Sequence, residues 1–223
     1  MGRLKAALTL KKARQTRQRG RAIRRVADKL GLVYFGGIDA KHDDIDTVRG
    51  VTTSTTHRDK HFAIGTYDGY DLSIVDRHDL RRQPTGRRLL QRWTIVHIKL
   101  INSSPDRHSF FMPLNRSEEF ESLFVNSRQL VPLDRYIITN PPVEYSLRYQ
   151  TLIDPSRYSD LEPLLDSSLY NSLITHFWPH AVELKGRHLF VYLTEHRLDE
   201  TVLEQAIQSA LWLAELIDSR TTA

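Results

Sequence analysis

The strongest hydrophobic pattern in the chain lies near its C-terminus. Between residues 201 and 217, apolar residues recur at intervals of three and four, which places them on one side of an α-helix. The members of this stripe are Leu203, Ala206, Ile207, Ala210, Leu213, Ala214 and Ile217. Thr201 and Glu204 have the spacing of a capping box, in which two side chains bond to free amides at the helix start. We therefore predict an amphipathic C-terminal helix that covers a sheet.

A β-hairpin is predicted between residues 61 and 76. Asp68-Gly69 joins two strand-like runs and matches the preferred two-residue type I′ turn. Counted outward from the turn, the predicted pairs are Tyr67 with Tyr70, Gly65 with Leu72 and Ala63 with Ile74 on one face, then Thr66 with Asp71 and Ile64 with Ser73 on the other. The first face is consistently apolar. A register that gives one apolar face supports the hairpin.

Shorter patterns predict the remaining elements. Ile23, Val26 and Ala27 share one side of a helix that docks on the domain and ends at Gly31 in a left-handed conformation. Trp93 to Ile101 is almost continuously apolar, which is typical of a central strand. Further strands are predicted at Leu32 to Phe35, Phe110 to Leu114, Leu130 to Thr139, Val143 to Tyr149, Ala181 to Leu184 and His188 to Leu193. Further helices are predicted from Ser117 and around Leu165 to Ile174. A basic loop is predicted from Arg77 to Arg92.

Together these elements predict an α+β fold. Its core is a mainly antiparallel sheet with two hairpins, packed against the amphipathic C-terminal helix and one or two further helices. The length of 223 residues, with 40% hydrophobic and 26% charged residues, suits a single globular domain. We place this α+β domain at residues 21–223 and a basic helical arm at residues 1–20, because residues 11–19 offer no apolar stripe to bury.

No stretch of the sequence reaches the roughly 20 apolar residues that span a bilayer, and the N-terminus has no signal-peptide pattern. We therefore expect a cytoplasmic protein, either free or associated with a membrane surface.

The charge of the chain is concentrated at its N-terminus. Residues 1–30 contain eleven Lys and Arg and a single acid, Asp28, whereas the other 193 residues contain 21 bases and 26 acids. A basic segment on a mildly acidic domain favours contact with polyanions, either nucleic acid or an anionic lipid surface. The alternative is a solvated helix that only aids solubility. The predicted anion-binding residues are Lys11, Lys12, Arg14, Arg17, Arg21, Arg24 and Arg25.

The sequence lacks the motifs of several common enzyme classes. The absence of cysteine excludes disulfides, thiolate zinc sites, iron–sulfur clusters and a cysteine nucleophile. The sequence also contains no Gly-rich phosphate loop, Gly-x-Ser-x-Gly elbow, His-Glu-x-x-His helix or dinucleotide fingerprint. We therefore expect no cofactor and no small-molecule substrate, and we favour a non-catalytic role, in which a protein partner is also conceivable.

Two groups of potential metal ligands have simpler explanations. Asp39, His42, Asp43, Asp44 and Asp46 are closely spaced, but they lack the alternation, the glycine and the closing Glu of a calcium loop. An exposed acidic loop is the favoured interpretation. His57 and His61 have the four-residue spacing of a zinc pair on a helix, but we expect them on a loop and a strand, where this spacing separates the rings. No metal site is predicted.

Other histidines and aromatic residues also have structural explanations. His97, on the predicted central strand, is either a base in a cleft or a hydrogen-bonded sheet histidine, and the second is commoner. A turn at Lys185-Gly186 would place His188 opposite Glu183 as a surface pair. The remaining aromatic residues lack the neighbouring basic residues of a single-stranded nucleic-acid platform, so we assign them mainly to the core. They are Trp93, Tyr136, Tyr145, Tyr149, Phe177 and Trp178.

A second basic cluster follows the first hairpin. It consists of Arg77, Arg81, Arg82, Arg87, Arg88 and Arg92 and is interrupted by Asp76 and Asp79. If the N-terminal arm lies beside it, the two segments form one continuous positive surface.

Several segments resemble a family of bacterial proteins of unknown function, in which an N-terminal membrane anchor precedes a helix and an α+β domain. The matching segments are residues 27–34, 65–72, 93–100, 143–154 and 183–189, together with the terminal helix. The resemblance implies the family's α+β fold for nearly the whole chain after residue 22. It carries over no catalytic residue, and this chain has a basic helix where the relatives have a transmembrane segment.

Three functional hypotheses follow. The first is a non-catalytic binding or scaffold domain held at an anionic membrane surface by residues 3–25. The second is sequence-independent nucleic-acid binding by the same residues, because charge alone distinguishes no base edges. The third is a metal-assisted hydrolase that uses Asp39, His42 and Asp43 with His57 or His61, although neither spacing nor context fixes a metal.

Overall fold

The computed structural model describes most of the chain. The described residues are 2–37, 48, 50–54, 56–82, 88–102, 108–124, 130–133, 141–193 and 198–221. At residues 2–15, 81, 82, 88, 89, 121, 122 and 221 only the backbone is described. The acidic segment at residues 39–46, Tyr136 and Arg87 lie outside the described residues.

A sheet of nine strands forms the centre of the described structure, and every pair of neighbouring strands in it is antiparallel. The strands are β1 (Val33–Gly37), β2 (Arg58–Tyr67), β3 (Tyr70–Arg82), β4 (Arg88–Lys99), β5 (His108–Pro113), β6 (Val131–Pro132), β7 (Tyr149–Ile153), β8 (Ala181–Lys185) and β9 (His188–Leu193). Their order across the sheet is β1-β2-β3-β4-β9-β8-β5-β7-β6. The predicted α+β class with a mainly antiparallel sheet is confirmed.

Six α-helices accompany the sheet in the described residues: α1 (Gly2–Leu30), α2 (Ser117–Phe124), α3 (Val143–Ser146), α4 (Tyr158–Leu161), α5 (Ser167–Ser172) and α6 (Glu200–Thr221). Short 3₁₀ turns cover Leu114–Arg116, Pro155–Arg157 and Glu162–Leu164, and a π turn covers Leu173–Phe177. Helices α1 and α6 pack on one face of the sheet, while α2 packs on the other.

The larger core lies between the sheet and helices α1 and α6. Every residue of the predicted C-terminal stripe is buried there, which confirms the amphipathic helix. Ile23, Val26 and Ala27 of α1 are fully buried in the same core. Gly31 ends α1 with a φ of +71°, and the amide of Leu32 donates to the carbonyl of Ala27 over 2.8 Å. This is the glycine cap that the sequence predicts.

The smaller core lies on the opposite face of the sheet and is rich in aromatic residues. Trp93, Phe110, Phe120, Phe190 and Tyr192 are buried in it with at most 1% exposure. The rings of Phe110 and Phe120 are 5.2 Å apart and tilted by 55°, a typical geometry for buried aromatic pairs. The sheet is therefore covered on both faces.

The first hairpin has the predicted register. All five predicted pairs between β2 and β3 are observed, from Tyr67 opposite Tyr70 to Ala63 opposite Ile74. Asp68 and Gly69 have φ angles of 51° and 80°, the positive values that a type I′ turn requires at both central positions. Beyond these pairs the register shifts between Lys60 and Ala63, which is a bulge that the sequence pattern does not show.

The structure corrects four local predictions. The predicted basic loop from Arg77 to Arg92 is mostly strand, because β3 extends to Arg82 and β4 begins at Arg88. Residues 143–146 form a helical turn, and the strand predicted there starts only at Tyr149.

The other two corrections concern polar partners. Helix α6 begins at Glu200 and is capped by Asp199, whose carboxylate accepts from the amide of Val202, so Thr201 is not the cap. His188 pairs with Lys185, and Glu183 pairs with Phe190, because the turn lies one residue later than predicted.

Candidate anion-binding surface

Helix α1 is continuous through Gly20 and has two contrasting sides. Its inner side packs on the sheet through Ile23, Val26 and Ala27. On its outer side, the four predicted anion-binding residues whose side chains are described are all exposed: Arg17, Arg21, Arg24 and Arg25. Arg17, Arg21 and Arg24 have the i, i+4, i+7 spacing that forms one stripe along a helix. The stripe continues the basic sequence of residues 11–14, whose side chains lie outside the description.

The contacts of α1 with the sheet begin before residue 20. The guanidinium of Arg19 is paired with the carboxylate of Asp76 at 2.8 Å and donates to the hydroxyl of Thr94. Three residues earlier, the hydroxyl of Thr16 accepts from Arg92 over 3.4 Å. The boundary between arm and domain at residue 20 stays a prediction, and Arg19 is the residue that tests it most directly.

Asp76 is a buried carboxylate with hydrogen-bonding partners on two sides. His78 Nε2 lies 2.9 Å from one oxygen, and Arg19 lies beside the other. Burial alone raises the pKa of Asp76, but the hydrogen bond from His78 and the charge of Arg19 outweigh burial and hold the pKa below its usual value. Asp76 is therefore the charged acceptor that holds this part of α1 against the sheet.

Gly20 allows α1 to approach β2 closely. A Cβ atom at this position would lie 2.7 Å from both ring nitrogens of His61, which is closer than packed atoms allow. His61 is the bulge residue with a φ of 53°, and its Nδ1 is 2.7 Å from the hydroxyl of Tyr34. Burial lowers the pKa of His61. The glycine, the bulge and the histidine thus form one packing unit.

Two ion pairs connect the second half of α1 to α6. Arg25 is 3.2 Å from Glu200, and Lys29 is 2.8 Å from Glu204. Hydrogen bonding to Glu204 and its charge raise the pKa of Lys29. These pairs are exposed, so each contributes little to stability. Arg25 differs from the other predicted anion-binding residues, because part of its charge is already neutralised by Glu200.

Among the described carboxylates, none forms an ion pair with Arg17, Arg21 or Arg24; the pairs of α1 involve Arg19, Arg25 and Lys29. Three exposed guanidinium groups on one helical stripe can therefore bind an external anion, bidentately in the case of a phosphate or carboxylate. Anion binding at this stripe stays a prediction, as does the assignment of Lys11, Lys12 and Arg14 to the same surface.

Arg77 of the second basic cluster does not contribute to a positive surface. Arg77 is fully buried and donates to both oxygens of Asp59, at 2.8 and 2.7 Å. It also donates to the hydroxyls of Thr52 and Thr53 and to the carbonyl of Val48. All its donors are occupied, so Arg77 has a structural role. In the sequence, nothing around Arg77 indicates that its side chain is buried and has a structural role.

Glu183 is a second buried charge that sequence reasoning placed at the surface. Its carboxylate accepts from the hydroxyl of Tyr192, from the amide of Val51 at 2.9 Å and from His108 at 2.9 Å. Burial raises the pKa of Tyr192 well above its usual value, and the charge of Glu183 raises it further. Together with Arg77, Glu183 ties residues 50–54 to the aromatic face of the sheet.

The histidines that the structure describes do not assemble into a metal site. In the described residues, no group of three or more His, Cys, Asp or Glu residues is arranged to hold a metal ion. His57 precedes β2 and contacts Ser54, whereas His61 contacts Tyr34, so they lie on a loop and a strand as expected. The acidic residues from Asp39 to Asp46 lie outside the described residues.

His97 is a sheet histidine, as favoured from the sequence. Its Nε2 is 2.9 Å from Nδ1 of His188, and its ring stacks on Phe190 with centroids 4.9 Å apart. Burial, together with the charges of His188 and Lys99, lowers the pKa of His97 to about 3. His97 is therefore neutral near pH 7.

The predicted core role of the aromatic residues holds for most of them. Trp93, Tyr145, Tyr149 and Phe177 are buried, and Trp178 is partly buried. Because these ring faces are covered by protein, they offer no stacking platform for bases.

The fold is similar to that of the crystal structure of the mycobacterial trehalose monomycolate transport factor A, with a TM-score of 0.61. The similarity covers 90% of this chain and 95% of that chain at 11% sequence identity, so it shows a shared fold alone. It connects the fold to a bacterial protein, as the sequence resemblance implied. No protein-family model matches the sequence, and a comparison with curated proteins gives no match. Among the described helices, none is both long and apolar enough to cross a membrane.

Proposed function

We propose that this protein is a non-catalytic accessory domain that is held at an anionic membrane surface by helix α1. The observation that carries the proposal is the division of α1 into a docked side and an exposed arginine stripe. Ile23 and Val26 fix the helix on the sheet, and Arg17, Arg21 and Arg24 face away from it. The basic side is thereby held in a defined orientation relative to the domain.

The size of the effect expected from charge supports a reversible, peripheral interaction. A Lys or Arg close to an anionic leaflet contributes about 1 kcal/mol of binding free energy. Residues 3–25 contain ten Lys and Arg and no acid, and Arg19 is the one that is buried against Asp76. The other nine can therefore hold the domain at such a surface without any spanning segment. Because this attraction is screened by salt, binding should weaken as the ionic strength rises.

The structural comparison supports the accessory part of the proposal. The similar structure is named as a transport factor for trehalose monomycolate, and the likeness covers nearly all of both chains. We extend from that name only the idea of an accessory role in transport. The proposal assigns no catalytic residue.

The proposal favours a lipid surface over nucleic acid as the anionic partner. Single-strand binding proteins combine positive charge with exposed aromatic rings that stack on bases. Trp93, Tyr145, Tyr149 and Phe177 are buried, so charge would be the main source of nucleic-acid affinity. Sequence-independent binding to nucleic acid is an alternative outcome of the experiment.

The direct test is co-sedimentation of the full chain with vesicles of phosphatidylcholine and phosphatidylserine at low and high salt. Binding is expected at low salt and should be lost at high salt and with phosphatidylcholine alone. The triple variant Arg17→Gln/Arg21→Gln/Arg24→Gln should bind more weakly than the wild type. Its matched control, Arg58→Gln/Lys99→Gln/Lys185→Gln, removes the same charge from exposed positions on the strands and should bind like the wild type.

Two outcomes would contradict the membrane proposal. The first is the absence of binding to phosphatidylserine vesicles at low salt. The second is equal loss of binding in both triple variants, which would show that net charge matters and the α1 stripe does not. A gel shift with mixed DNA and RNA, in the absence of vesicle binding, would assign the basic residues to nucleic acid instead.

A further inference from the structure

An exposed pair of leucines lies on the same face of the sheet as α1. Leu80 of β3 and Leu90 of β4 are directly opposite each other, with 46% and 43% of their surface exposed. Every second residue of a strand lies on the same face of a sheet. The pairs on this face, from the sheet interior towards the end of the hairpin, are Asp76 with Thr94, His78 with Arg92 and Leu80 with Leu90.

Helix α1 follows this series of pairs. Arg19 is bonded to the first pair through Asp76 and Thr94, and Thr16 is bonded to the second pair through Arg92. The direction from Arg19 to Thr16 therefore leads towards the leucine pair. The N-terminal half of α1 and the end of the β3–β4 hairpin consequently extend from the same side of the sheet.

The leucine pair belongs to one basic segment and lies on the sheet face that carries another. Residues 80–92 contain five arginines and no acid, and residues 3–25 contain ten Lys and Arg and no acid. The last paired positions of the hairpin are Arg82 and Arg88. Two exposed aliphatic side chains are thus combined with a high local density of positive charge.

We propose that Leu80 and Leu90 insert into the boundary between headgroups and acyl chains of an anionic bilayer. The inference rests on the proposed function, which brings the basic side of α1 to such a surface. Apolar side chains next to Lys and Arg are the combination that binds peripheral proteins to anionic membranes. A nucleic-acid backbone, in contrast, attracts the cations and offers no acyl region to the leucines.

Another exposed aliphatic pair provides an internal comparison. Val143 and Leu147 of the α3 region are 77% and 73% exposed, which is more than either leucine of the hairpin. They flank an ion pair between Glu144 and Arg148 and adjoin β7, five strands away from β3 in the sheet order. Because residues 136–147 contain no Lys or Arg, we expect no insertion there.

The first experiment compares the full-length variant Leu80→Ser/Leu90→Ser with the control Val143→Ser/Leu147→Ser. Binding to phosphatidylcholine–phosphatidylserine vesicles is measured by co-sedimentation at low salt. We expect about tenfold weaker binding for the hairpin variant, which corresponds to about 1.4 kcal/mol, and unchanged binding for the control. Both variants change exposed positions, so circular dichroism should show wild-type folding.

The second experiment uses the absence of cysteine from the chain. A single substitution, Leu90→Cys, provides a unique attachment site for an environment-sensitive fluorophore, and Leu147→Cys provides the matched control. On addition of the same anionic vesicles, the probe at position 90 should shift to shorter wavelength and become brighter. The probe at position 147 should keep its emission in water.

The outcomes separate this inference from the proposed function. Wild-type binding together with a shift at position 90 and weaker binding of Leu80→Ser/Leu90→Ser supports insertion of the hairpin. Wild-type binding without a shift at position 90 overturns the insertion and leaves the α1 surface intact. Absence of wild-type binding overturns the proposed function and the insertion with it.

Discussion

Arg19 and Asp76 form an ion pair at 2.8 Å, and their side chains are only 6% and 0% exposed. The two residues are 57 positions apart in the chain. Their contact joins the middle of a strongly basic helix to the interior of the sheet. Arg19 therefore differs from the arginines around it, which belong to the exposed side of α1.

We predict that Arg19→Met destabilises the fold by about 3 kcal/mol, because removing one partner of a buried pair leaves the other charge without full compensation. Urea unfolding followed by circular dichroism measures the change. Arg21→Met is the control, since Arg21 is exposed, and it should change stability by no more than about 0.5 kcal/mol. Equal stability of the two variants would mean that the Arg19–Asp76 pair does not hold the helix.

Stepwise truncation tests the predicted boundary at residue 20. Deletion of residues 1–15 should leave the unfolding midpoint almost unchanged, whereas deletion of residues 1–20 removes Arg19 and should cost about as much as Arg19→Met. A loss of folding after the shorter deletion would show that residues 1–15 belong to the core architecture.

The docked half of α1 should respond severely to a single charge. Ile23 is fully buried between the helix and the sheet, so Ile23→Asp places an unpaired carboxylate in the core. We expect a loss of more than about 4 kcal/mol, measured by thermal or urea unfolding. A stable Ile23→Asp variant would show that this half of the helix is not docked as described.

Substitution of Gly20 tests the contact between α1 and the β2 bulge. Alanine favours a helix over glycine by about 1 kcal/mol, yet its Cβ would lie 2.7 Å from the ring nitrogens of His61. We expect Gly20→Ala to destabilise the protein by about 1–2 kcal/mol, because the overpacking outweighs the helical preference.

The His61→Gly background provides the control for this substitution. It removes the ring and suits the positive φ at that position. In this background Gly20→Ala should become neutral or stabilising, as measured by a double-mutant cycle. A destabilising effect of the same size in both backgrounds would exclude the ring as its cause.

His97 should make stability depend on pH in the acidic range. Burial lowers its pKa from about 6.5 to about 3, so below pH 6.5 the unfolded state binds a proton that the folded state does not. Stability should therefore fall by about 1.4 kcal/mol per pH unit as the pH decreases from about 6.5 to about 3. His180, whose pKa burial lowers to about 4, acts in the same direction.

The variant His97→Gln should reduce this slope by up to about 1.4 kcal/mol per pH unit between about pH 6 and about pH 4. Urea unfolding at several pH values measures the slope for both proteins. If the free energy of unfolding depends on pH with the same slope in the variant and the wild type, His97 does not cause the pH dependence.

Local patterns were sufficient to predict much of the fold. The Asp68-Gly69 turn determines the register of the first hairpin, and the stripe from Leu203 to Ile217 identifies the face of α6 that is buried. Gly31 was predicted as the cap of α1 for the same reason, since only nearby residues decide that geometry. These features depend on the alternation of polar and apolar residues over short distances.

Charged residues inside the sheet could not be predicted in this way. Arg77 and Glu183 are fully buried because their partners come from Asp59, Tyr192 and the segment at residues 50–54. In sequence, the stretch that follows Arg77 has the composition of a loop, and Glu183 has that of an exposed strand residue. The long-range partner alone makes burial of the charge favourable.

The same reason explains the limits of the site prediction. The basic segment was evident from composition, but Arg19 has the same residue type as Arg17 and Arg21. Only the position of Asp76 beneath the helix distinguishes the buried arginine from the exposed ones. The sequence alone does not specify which strand lies beneath a given turn of the helix.

The attachment of α1 also has a mechanical consequence. Arg19–Asp76 and Lys29–Glu204 lie at opposite ends of the docked half of the helix, with Ile23 packed between them. Tension along the helix axis from its N-terminal half would load these contacts together, in shear, instead of opening them one after another. A domain held by that half would resist drag in the plane of a surface until the whole docked segment slides at once.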